Sequence, residues 1–129
     1  FASSGLALIS LASPTTPEAR LQRLAVQSDG YLYYVSFAGV TGADRLDVAD
    51  AGQRLQQLRA MAAIPVYAGF GIRDADSAAA MAVNADGVVV GSALVSALDG
   101  SVDAAEAAAR AGDFLRPLRQ AIDGLAVVA

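Results

Sequence analysis

The chain has 129 residues with nine arginines, 13 acidic residues and a net charge of −4, and it contains no lysine, histidine or cysteine. Those absences exclude a Ser-His or Cys-His dyad, the usual zinc sites and a Schiff base on this chain, and with it class I aldolase or lysine-bound pyridoxal chemistry. A 55 % hydrophobic, 17 % charged composition describes one domain with a core, and the scattered arginines give no footprint for nucleic acid.

In chain order, residues 6–12 read as a β-strand stopped by Ser13-Pro14. Thr16-Pro17-Glu18 is a helix start, with Thr16 as N-cap, Pro17 at the first helical position and an acid in the first turn. Leu21, Leu24 and Ala25 then form one apolar stripe. Ser28-Asp29-Gly30 closes this unit, and residues 31–36, aromatic and β-branched, read as a second strand. A glycine-bearing loop over 37–47 precedes a helix over about 48–62 that carries Leu55, Leu58 and Ala62 on one side. Residues 64–68 form a short strand with Pro65 at its start. Gly69-Phe-Gly71 follows it, and Asp74 is placed to cap a helix to about Val83. After Asn84-Ala85-Asp86-Gly87, the run Val88-Val-Val90 is apolar throughout, as expected of a parallel strand buried on both faces. Gly91-Ser92 opens a short helix to about Leu98. The last helical region, about 102–125, is expected to break at Gly112-Asp113, leaving Pro117 near a new first turn.

The order is therefore β-α-β-α-β-α-β-α, with strands starting near residues 6, 31, 65 and 86. A complete (βα)₈ barrel takes roughly 250 residues, so the α/β fold expected here is half of a TIM barrel, a single half-barrel segment over residues 1–129. A small open sheet of the flavodoxin or Rossmann kind fits less well. No Gly-x-Gly-x-x-Gly follows the first strand, and no acidic residue closes the second. Phe1 is not Met and a strand begins almost at once, so the chain is expected to be a piece of a longer one. The longest apolar run, residues 85–97, is broken by Asp86, Gly91 and Ser92 and falls short of the roughly 20 residues of a bilayer span. With no signal segment either, a soluble cytoplasmic protein with no membrane partner is expected.

Three glycine-bearing segments, Gly39-Val-Thr-Gly42, Gly69-Phe-Gly71 and Gly91-Ser92, each follow a predicted strand. Strand carboxyl ends lie on one face of a parallel α/β structure, so the three loops converge there. One such glycine alone is more often a tight turn. Three in matching positions, the last opening a short helix, favour a phosphate cradle of backbone amides.

Gly30-Tyr-Leu-Tyr-Tyr-Val-Ser with Gly39-Val-Thr-Gly42, then Ala68-Gly-Phe-Gly-Ile72, then Asp86-Gly-Val-Val-Val-Gly-Ser-Ala-Leu-Val95 resembles the tryptophan synthase alpha subunit. The likeness runs almost from end to end and covers the second half of that family's barrel, strands five to eight. It implies retro-aldol cleavage of indole-3-glycerol phosphate to indole and glyceraldehyde 3-phosphate, with indole passed to a pyridoxal-dependent beta subunit; the alpha chain itself needs no cofactor or metal. The family's phosphate-holding glycines fall on Gly42, Gly71 and Gly91, with Ser92 at the helix N-terminus. Phe70 lies beside that site, and Tyr33 matches a tyrosine near the glycerol portion. Thr41 matches the threonine of the mobile loop, and Leu11 and Val89 match apolar positions near the indole.

Each of these residues also has a plainer reading. Tyr33 suits a half-buried strand, Thr41 a polar loop, and Leu11 and Val89 a core. Arg45 and Arg73 lie near the loops, but loop arginines are more often solvated surface charges. Phe37-Ala38 departs from relatives that carry a basic or polar residue there. The larger departure is catalytic. The family's glutamate and aspartate belong to the first half of the barrel, and no residue here matches either. Glu18 starts an outer helix and Glu106 sits in an Ala-rich stretch, so the chain alone is expected to be inactive. Rival readings are a non-catalytic phosphate-binding module, a half-barrel that associates with itself, and a phosphate-binding isomerase of histidine or tryptophan synthesis.

Overall fold

A computed structural model describes residues 2–35, 45–69 and 71–126. The expected alternation is present. Four strands, β1 (Ser10–Ala12), β2 (Leu32–Val35), β3 (Val66–Gly69) and β4 (Gly87–Val89), alternate with helices α1 (Glu18–Gln27), α2 (Arg45–Met61), α3 (Ala75–Ala82) and α4 (Ser92–Leu98), and α5 (Ala104–Ala126) follows. The strands form one sheet in the order β1-β2-β3-β4, and every pair is parallel. No helix among the described residues is long and apolar enough to cross a membrane.

Strand alternation divides the sheet into two faces. Ala12, Leu32, Tyr34, Val66 and Ala68 form the helix-covered face, where they pack with Leu21 of α1 and Leu55 and Leu58 of α2. The predicted stripe of α1 is the buried one: Leu21 and Ala25 are enclosed and Leu24 borders the core. Burying each such leucine is worth about 1.5–3 kcal/mol. A second cluster joins α5 to α3 and β4: Leu118 meets Ile72 and Ala78, with Phe114, Ile122, Val88 and Val90 around them.

Four local expectations are corrected. Residue 17, not 16, is the N-cap of α1: the Pro17 carbonyl accepts from the Arg20 and Leu21 amides. Thr16 Oγ1 is occupied instead by the Ser13 amide at 2.9 Å. The first strand is only three residues long, and Leu6 and Leu8 stand exposed before it. β4 is half-buried along its whole length, because it forms one edge of the sheet and has a neighbour on one side only. Finally, α5 runs unbroken through Gly112, Asp113 and Pro117. Phe114, Leu118 and Ile122, four residues apart, carry one continuous packing stripe past the glycine, and tertiary packing overrides the weak local propensity.

Candidate functional site

The register puts Leu11, Tyr33, Tyr67 and Gly87 in one row across the sheet. Val89 lies two residues beyond Gly87 and shares its face. Leu11, Tyr33 and Val89, three of the expected pocket residues, thus stand together on the face opposite the helices. In a closed barrel this is the interior face. Leu11 is 59 % exposed, and Tyr33 and Val89 are half-buried.

Two tyrosines on this face are seated by glycines that the sequence reading did not single out for that role. A Cβ at Gly69 would fall against Tyr33 Oη, 2.6 Å from its Cε2 and 2.9 Å from its Cζ. The absence of a side chain at Gly69 is what lets the Tyr33 ring cross the neighbouring strand. Tyr67 lies over Gly87 in the same manner, where a Cβ would come within 3.0 Å of ring atoms Cδ1 and Cε1. Tyr31 stacks on Tyr67, with ring centroids 4.6 Å apart. Period-2 alternation shows which residues share the face. Which ring lies over which glycine depends on the register between strands more than 30 residues apart in sequence, which no local pattern reveals.

Gly71 and Gly91 both sit just beyond strand carboxyl ends. Gly71 has φ +72°, a left-handed conformation that disfavours other residues. The backbone after it is held by Ser77, whose hydroxyl accepts from the amides of Arg73 and Asp74, each at 3.1 Å. Asp74 completes a capping box by accepting from the Ser77 amide at 2.8 Å. These bonds from Ser77 hold the Asp74 carboxyl below its ordinary range. Gly91 is the N-cap of α4 and offers no side-chain cap, so amides of the first turn of α4, which opens at Ser92, have no acceptor within the helix. Nothing lies within 4 Å of the position a Gly91 Cβ would occupy, which leaves open space at the mouth of the sheet.

The expected Thr41, Gly42 and Phe70, with most of the loop over 37–47, lie outside the described residues. Arg45 is the first residue of α2. Arg73 is strongly exposed and pairs with Asp74 at 3.6 Å. The two glutamates have structural partners: Glu18 meets Arg54 at 3.3 Å between α1 and α2, and Glu106 accepts from the Val102 amide and from Arg110 at the start of α5. Among the described residues, no cluster of acidic side chains could hold a metal ion.

A parallel four-stranded sheet with helices on one face, a tyrosine-lined opposite face and glycines at the strand carboxyl ends defines one half of a (βα)₈ barrel. A sequence model of the family described as tryptophan synthase alpha chain matches residues 1–123. Tryptophan synthase alpha chains of Xanthomonas campestris pv. campestris (strain B100) and Xylella fastidiosa (strain 9a5c) are 68 % and 64 % identical to it. Those matches take in 95 % and 97 % of this chain and 46 % and 47 % of the relatives. Among solved structures, the alpha subunit from Legionella pneumophila superposes with a TM-score of 0.76 at 35 % identity, over 95 % of this chain and 45 % of that one. A tryptophan synthase α2β2 complex from Pyrococcus furiosus superposes at 0.74 with 30 % identity, over 92 % and 48 % of the two chains. The chain belongs to the tryptophan synthase alpha chain family, and it spans about half the length of the curated relatives it matches. Family membership sets aside an isomerase and a self-contained non-catalytic phosphate module.

Proposed function

We propose that this chain is the phosphate-anchoring half of an enzyme that cleaves indole-3-glycerol phosphate to indole and glyceraldehyde 3-phosphate. Gly42, Gly71, Gly91 and Ser92 hold the phosphate, with backbone amides aimed at its oxygens and the positive end of the α4 dipole adding to them. Leu11 and Val89 flank the indole, Tyr33 lies against the glycerol portion, and Thr41 and Phe70 complete the pocket from the loops. The observation that supports this reading most is the common face of Leu11, Tyr33 and Val89, which leads to Gly71 and Gly91 at the same end of the sheet.

In the reaction a base takes the indole N–H proton as an acid protonates C3; the bond from C3 to the glycerol chain then breaks, its electron pair passing through the ring to N1, which regains a proton, while the carbinol O–H gives up its proton and becomes the aldehyde carbonyl of glyceraldehyde 3-phosphate. A phosphate fixed at one end holds the reacting carbon in place and lowers the entropic part of the barrel's task. Both glutamates of this chain are engaged in structural pairs, so the acid and the base are assigned to the half of the relatives that this chain does not match. Indole passes to a pyridoxal-dependent beta subunit, a partnership supported by the α2β2 assembly of the Pyrococcus furiosus relative.

Calorimetric titration of the 129-residue polypeptide with glycerol 3-phosphate is expected to give weak binding that falls at least about tenfold, or ~1.4 kcal/mol, in Ser92→Asp. An indole-release assay on the same material is expected to read zero. Indole release by the polypeptide alone overturns the division of roles, and wild-type binding that Ser92→Asp leaves unchanged overturns the anchoring site.

A further inference from the structure

We propose that Tyr67 sets the size of aromatic group that the interior face admits, its ring forming the floor of the indole pocket below Val89. The inference rests on the reading that Leu11 and Val89 flank the indole, and it adds a specificity-determining residue to that pocket.

The register decides what occupies each level of this face. Tyr67 and Gly87 are Cα partners on β3 and β4, and Val89 stands one level nearer the strand carboxyl ends on the same face. Gly87 brings no side chain to its own level, so the space beneath Val89 is filled from the neighbouring strand. The Tyr67 ring fills it: its Cδ1 and Cε1 lie 3.0 Å from where a Gly87 Cβ would be. The same ring stacks on Tyr31, with centroids 4.6 Å apart and planes inclined by 24°. Tyr31 belongs to the next level toward the amino end, two residues before Tyr33. A flat ring packed against both a backbone and a second ring has little freedom to turn aside.

Tyr33 takes a different course. It is the neighbour of Tyr67 in the same row, but its ring crosses to Gly69, which pairs with Val89. Tyr33 therefore stands at the level of Val89 as a wall, and Tyr67 lies one level below as the floor. With the phosphate held at Gly71 and Gly91, beyond the strand carboxyl ends, the part of the substrate farthest from it is the six-membered ring of the indole. That ring points down the face, and a substituent on it meets Tyr67 first.

Carbon-13 NMR of the 129-residue polypeptide, titrated with indole and with 5-methylindole, tests this. Indole is expected to shift the Leu11 and Val89 methyl signals and the Tyr67 ring signals along one saturation curve. Tyr67→Ala is expected to raise the affinity for 5-methylindole relative to indole at least about threefold, part of the roughly tenfold or more that one such carbon is worth in an enclosed apolar pocket. Gly87→Ala, whose added Cβ presses the ring toward the pocket, is expected to lower the same ratio. Loss of folded structure would weaken both ligands together, so the ratio separates pocket size from stability. Shifts at Leu11 and Val89 with none at Tyr67, or a ratio that moves in neither variant, overturn the role of Tyr67 and leave the indole pocket standing. No shift at Leu11 or Val89 overturns the pocket and its floor together.

Discussion

Asp86 works at the amino end of the sheet, away from the candidate site, and it binds through three groups at once. Its amide donates to the Val66 carbonyl and its Oδ2 accepts from the Val66 amide, both at 2.8 Å. Its Oδ1 meets Arg59, also at 2.8 Å. These contacts differ in worth. Losing the carboxylate leaves the half-enclosed Val66 amide without its acceptor, a loss of about 1–3 kcal/mol, whereas an ion pair with both side chains open to solvent is worth less than about 1 kcal/mol. Urea unfolding should therefore show Asp86→Ala losing at least twice the stability lost in Arg59→Ala; equal losses would mean that the ion pair carries the interaction. From the sequence, Asp86 reads as part of a turn into β4 and of a family motif. Its anchoring of a strand start 20 residues earlier is not legible there, because a carboxylate shows no local sign of which distant amide it will meet.

The start of α3 is more legible than the interior of α5. Asp74 is recognisable as a cap because its chemistry is local: a short carboxylate before a helical run finds the amide three residues on. The Ser77 bonds hold the Asp74 carboxyl below its ordinary value in the folded chain, which sets the direction of a pH effect. The capping contribution is fully present above the unfolded value, roughly 3.9, and is lost as pH falls through the lower folded value. A carbon-13 titration of the Asp74 carboxyl should give a midpoint below that of an unfolded reference, and Ser77→Ala should move it back up; an unmoved midpoint contradicts the assignment. Gly112 shows the opposite case. Its low propensity suggests a break, yet α5 continues, since contacts with α3 and β4 are distant in sequence. β1 is shorter than its apolar run for a similar reason: Leu6 and Leu8 have the composition of a strand but lie ahead of the pairing with β2.

For the molecule as a whole, the count of βα units in 129 residues was enough to indicate half a barrel, and the shared face of Leu11, Tyr33 and Val89 follows from alternation once the strand register is known. The sequence does not reveal how much apolar surface stays open, because exposure depends on which edges find neighbours. The order of the sheet also bears on how the chain comes together. Each strand pairs with the one made just before it, across the helix that separates them. Each closure still spans a whole βα unit, and parallel pairing of this kind is slow beside the local contacts of a helical bundle. During synthesis each strand after β1 emerges when the strand it pairs with has already been made.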